Sequence, residues 1–64
     1  MMKRREIIDA LRHTRKERDK TTEAMDSAEY GSNDYHYART KRLIETGFIL
    51  AYEGVLEIKP GQEV

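Results

Sequence analysis

The side chains that could do chemistry are few. The chain has two histidines, His13 and His36, twelve Asp/Glu, four tyrosines and no cysteine. Without cysteine there is no thiol nucleophile, no disulfide framework and no thiolate zinc site. On a helical hairpin His13 falls near Leu50 and His36 near Ser27, so the two share a metal only across an interface between chains. Solvated surface histidines are the simpler account. None of the carboxylates makes the Glu-x-x-His spacing of a di-iron bundle. Several sit four residues from a base, as in Arg5–Asp9 and Arg15–Asp19, and these are surface pairs contributing about 0.2–0.5 kcal/mol each. No Gly-rich phosphate loop, nucleophile elbow or HExxH occurs. No catalytic, cofactor-binding or metal-binding residue is assigned, and the expectation is a chain that is not an enzyme.

Residues 30–37, YGSNDYHY, hold three of the four tyrosines and one histidine. Gly31 suits the left-handed residue that closes a helix, and Ser32, Asn33 and Asp34 suit the cap of the next. The stretch therefore marks a turn. Tyr37, with Tyr30 from across the turn, is expected to cover Met25 and Ala28, while Tyr35 and His36 point outward.

Basic residues are a second candidate for function. Arg5, Arg12, Lys16 and Lys20 share one outward helix face with Arg15 close by, a pattern that can contact nucleic-acid phosphates or an acidic partner. Asp9, Asp19 and Glu23 interrupt that face, and the formal net charge is zero. Charge is nevertheless lopsided: residues 1–20 hold eight Lys/Arg against four Asp/Glu, and residues 21–64 hold four against eight. Such a dipolar layout favours association.

The elements that position these residues follow from hydrophobic spacing. Residues 3–29 contain neither Gly nor Pro, and Ile7, Ile8, Leu11, Met25 and Ala28 fall on one face with Thr14, Arg18, Thr21 and Thr22 between them. A second helix over about 34–58 carries Tyr37, Ile44, Phe48, Ala51, Val55 and Ile58 at helical spacing, ended by Pro60-Gly61. The expected fold is all-α: a helix over about 3–29, a turn at 30–33 and an antiparallel helix over about 34–58. The whole of 1–64 is a single small domain with a polar tail at 59–64. In a register centred on Gly31-Ser32, Ile8 meets Val55, Leu11 meets Tyr52, Met25 meets Tyr37 and Ala38, and Arg18 meets Glu45 as an ion pair that fixes register. The alternative for the last third is a β-hairpin, with strands at 48–52 and 55–59 around Glu53-Gly54.

Helix two has more apolar surface than helix one can cover. Thr40, Ile44, Gly47, Ala51, Gly54 and Ile58 recur at spacings of four and three, and Leu43 and Leu50 flank them, forming a seam rich in small residues. Each interior glycine costs a helix about 1 kcal/mol relative to alanine, so two of them argue for close approach by another helix. The expected assembly is a homodimer, a four-helix bundle with helix two at its centre. The expected function is a small protein–protein interaction module, an adaptor or inhibitor docking on a larger protein. A nucleic-acid accessory protein and a structural assembly element are the alternatives. The longest apolar run, at 48–52, is too short to cross a bilayer, and a cytoplasmic protein is expected.

Overall fold

A computed structural model describes residues 3–64 of the chain. Helix α1 spans Arg4–Ser27 and α2 spans Asn33–Leu56, packed antiparallel as one hairpin measuring 39 × 20 × 16 Å. No strand occurs among the described residues, so the alternative β-hairpin at 48–52 and 55–59 is excluded. The helix runs unbroken through Gly47 and Gly54. Its packing against α1 outweighs the local strand preference of Phe48, Ile49, Tyr52 and Val55.

The ends differ from expectation in instructive ways. Helix α1 stops at Ser27, with Ala28 in extended backbone (φ −81°, ψ 149°) and its N–H donating to the Ala24 and Met25 carbonyls. Gly31 therefore does not close α1. It sits inside the turn at φ 82°, a left-handed conformation that glycine adopts without steric cost. Asp26 and Ser27, residues of low helix propensity, stand in the last turn before this earlier stop. Ser32 caps α2, its hydroxyl accepting from the Tyr35 N–H at 3.1 Å.

At the other end α2 closes with a Schellman motif. The Ile58 N–H donates to the Glu53 carbonyl (3.1 Å) and the Glu57 N–H to the Gly54 carbonyl (3.2 Å), with Glu57 itself at φ 57°. Lys59-Pro60-Gly61-Gln62 then forms a turn, the Gln62 N–H donating to the Lys59 carbonyl at 3.0 Å. Gly61, at φ 81°, takes the position that needs a left-handed residue. The polar tail thus folds back toward α1, where Arg12 donates to the Val64 carbonyl.

Leu11, Ile49 and Leu56 form the core at the open end of the hairpin, joined by the partly buried Ile7, Ile8, Tyr52, Ile58 and Val64. Three buried aliphatic side chains contribute about 2 kcal/mol each, a thin core for a chain of this length. Nearer the turn the inter-helix layer becomes polar: Thr21 and Glu45 are buried there as well as Ala38, and the Arg42 Nε donates to the Thr22 hydroxyl at 2.9 Å.

The face that α2 turns inward carries Ala38, Glu45, Ile49, Glu53 and Leu56. Val55 and Tyr37, expected to meet Ile8 and Met25, are instead 64 % and 72 % exposed. At about 100° per residue they lie roughly a third of a turn away from the inward face. The physical reason is complementarity. Arg15 of α1, outside the expected stripe, donates to the Glu53 carboxylate, which faces inward with Glu45.

Candidate functional site

Between Leu43 and Leu56 the sequence has two charged residues, Glu45 and Glu53. Both are buried against α1, at 7 % and 3 % exposure. The outside of that stretch is consequently uncharged. Leu43 (65 %), Ile44 (56 %), Phe48 (54 %), Leu50 (54 %) and Val55 (64 %) all stand more than half exposed. Together they present on the order of 500 Å² of apolar surface, as much as the largest patch on many full-sized soluble proteins.

The arc has a definite shape. At about 100° per residue, Thr40, Gly47, Ala51 and Gly54 run along the line opposite α1. Leu43 and Leu50 rise on one side of it, and Ile44, Phe48 and Val55 on the other. All of these are exposed, while Ile58, beyond the end of α2, is half-buried against the core. A Cβ added at Gly47 or Gly54 would meet nothing within 4 Å, so nothing inside the hairpin requires either glycine. A compact monomer of 7.5 kDa exposes about 4,200 Å², whereas this chain exposes 5135 Å². The difference reflects the elongated 39 × 20 × 16 Å shape of the hairpin, in which α1 covers one side of α2.

The charged residues form a second feature. The Glu53 Oε2 accepts from Arg15 Nη2 at 2.9 Å and from the Gly61 N–H at 2.7 Å, joining α1, α2 and the tail at one oxygen. The Gly61 N–H, and after it the Arg15 guanidinium with a smaller effect from Arg18, hold the Glu53 carboxyl below its ordinary value, against the opposing effect of burial. The register pair is therefore Arg15–Glu53. Arg18 and Glu45 make no ion pair or hydrogen bond with each other, and Glu45 Oε1 is buried with no hydrogen-bond partner. Arg15 reaches this far because its side chain is long and half-buried along the helix interface.

The basic residues do not assemble into one free face. Arg15 is committed inward, its side chain 22 % exposed, and Arg12 is tied to the tail. Lys20 pairs loosely with Glu17 at 3.7 Å, and Arg5, Lys16 and Lys20 remain exposed among acidic neighbours. At the turn, Tyr30 is exposed and its ring lies 5.0 Å from that of Tyr35, which stands 5.7 Å from the ring of His36. Tyr35 is the half-buried tyrosine of the turn and Tyr37 the exposed one, reversing the expectation. Tyr35 lies one turn before Ala38 and so shares its inward face.

Among the described residues no three His, Asp or Glu side chains gather as metal ligands, and no helix is long and apolar enough to cross a membrane. Sequence reasoning missed Phe48, Val55 and Tyr37 as outward residues. A signal for them existed: Glu45 and Glu53 are the sole charges of the segment, and their spacing sets both on one side of α2. No family model, curated protein or solved structure matches the chain.

Proposed function

We propose that this chain is a non-catalytic protein–protein interaction module whose working surface is the outward face of α2. The observation that carries the proposal is the uncharged, half-exposed apolar face between Leu43 and Val55, whose two charges, Glu45 and Glu53, are turned inward. A surface of this kind in water favours association, because covering it releases ordered solvent. Two chains joined through it form a four-helix assembly with the α2 pair in the middle and the charged α1 helices outside. The outer, polar helices then meet the larger protein on which an adaptor or inhibitor acts.

Sedimentation equilibrium tests the association. A mass of twice the chain's is expected at micromolar concentration, and Leu43→Glu with Leu50→Glu should return it to one. A wild-type chain that stays helical and monomeric up to millimolar concentration would refute pairing. The nucleic-acid alternative is tested by titration at low salt, where phosphate contacts are strongest, and absence of binding there removes it.

A further inference from the structure

We infer that the second copy lies parallel to the first and in register, α2 against α2, with the two turns side by side. The inference rests on the proposed pairing through the outward face and specifies its geometry. Two lines of side chains point away from α1: Tyr37, Ile44 and Ala51 on one, Thr40, Gly47 and Gly54 on the other, alternating at spacings of three and four. These are the core positions of a two-stranded seam.

In a parallel, in-register pair each residue on these lines meets its own copy. Gly47 meets Gly47, Ala51 meets Ala51 and Gly54 meets Gly54, so three successive layers are small and the backbones can approach closely. The flanks also match. In parallel packing a residue on one flank lies against the residue five positions later on the other flank of the second helix. Leu43 then packs on Phe48, and Leu50 on Val55. Tyr37, 72 % exposed in the single chain, gains a partner in the second Tyr37.

The antiparallel pair fails on the same surface. Centred on the apolar stretch, it sets Gly47 against Ala51, but Leu43 against Glu57 and Val55 against Lys41. Two of the five large apolar side chains would then lie beside charged residues, and Tyr37 would face the tail. The tail leaves the parallel arrangement unobstructed, because Ile58 and Val64 fold toward the Leu11 side of the hairpin. The five large apolar side chains, with Tyr37 and the small-residue line, present roughly the 800 Å² that each partner of a standard interface buries, which fits a single added copy.

The consequence is a bivalent end. Both turns, each with exposed Tyr30 and His36, lie at the same end of the pair and not at opposite ends.

The chain contains no cysteine, so single substitutions report proximity cleanly. Ile44→Cys and Leu50→Cys are each oxidised mildly, after circular dichroism confirms wild-type helicity. Residue 44 meets its copy in the parallel pair, whereas in the antiparallel pair the two copies stand about ten residues, roughly 15 Å, apart along the axis. Residue 50 meets its copy in the antiparallel pair, whereas in the parallel pair the two copies lie at the same height on opposite flanks of the seam. The expected result is a cross-linked dimer from Ile44→Cys at a rate at least tenfold above that from Leu50→Cys. Faster cross-linking of Leu50→Cys overturns the parallel geometry while leaving the pairing intact. Equal, slow cross-linking of both, with a monomeric wild-type chain by sedimentation, overturns the pairing itself.

Discussion

Replacing Gly47 and Gly54 with alanine should have opposite effects on the single hairpin and on its association. A methyl group at either position meets no atom within 4 Å, so the substitution introduces no clash inside the hairpin. Both residues lie in regular helix, where alanine is favoured over glycine by about 1 kcal/mol. The double variant should therefore stabilise the isolated chain by about 2 kcal/mol. For a domain of this size each kcal/mol moves Tm by about 4–8 °C, which gives about 8–16 °C for the pair of substitutions. On the outward line the same methyl groups hold a second helix away. The dissociation constant of the pair should rise by about tenfold or more, equivalent to about 1.4 kcal/mol. Thermal melts by circular dichroism over a concentration series separate the two, since association makes Tm concentration-dependent and intrinsic stability does not. A double variant that melts lower than wild type in dilute solution would show that the hairpin itself needs the glycines. Unchanged dissociation would show that no helix packs closely there.

Glu53→Ala leaves Arg15 and the Gly61 N–H without their acceptor and should cost about 2–3 kcal/mol in urea unfolding; a loss under 0.5 kcal/mol would refute the role given to that oxygen. Because the folded carboxyl is held below its ordinary value of 4.5, its contribution is complete above that pH and declines as pH falls below it, and Glu53→Gln should flatten this acid limb. Glu45→Met removes a buried oxygen that has no partner and should raise stability by about 1 kcal/mol, visible as a higher Tm. Ser32→Ala removes the acceptor of the Tyr35 N–H and should cost about 1 kcal/mol, read in the same unfolding assay.

Much of the hairpin was legible from residue types. The Gly- and Pro-free run before the turn, the cap at Ser32 and the stop before Pro60-Gly61 are local signals, and each falls within two residues of an observed boundary. The inner stripe of α1 was legible for the same reason, since Ile7, Ile8, Leu11 and Met25 have no rival face. Helix α2 was harder. Its apolar residues cover more than half its circumference, so periodicity alone does not say which arc meets α1. The rule that hydrophobic residues pack on hydrophobic residues points Val55 and Tyr37 inward, whereas the structure exposes them. The observed side instead brings polar partners together: Arg15 donates to Glu53, and Arg42 donates to the Thr22 hydroxyl. Arg15 was set on the solvent face because a spacing rule treats a side chain as a point. Its length allows it to reach inward.

The inward placement of Glu45 and Glu53 bears on how α2 knows its orientation about its own axis. Apart from these two carboxylates, the segment from Leu43 to Leu56 could turn either side toward α1 with similar apolar burial. Rotated by half a turn, it would take the Glu53 oxygen away from Arg15 and the Gly61 N–H, leaving both donors without their acceptor. The carboxylates thus act as a rotational key, at some cost in stability at Glu45. Replacing both with methionine should remove the key, leaving a helix with two interchangeable faces. Two sets of backbone amide resonances in an NMR spectrum of that variant would report the mixture, and a single wild-type-like set would show that the apolar side chains alone define the orientation.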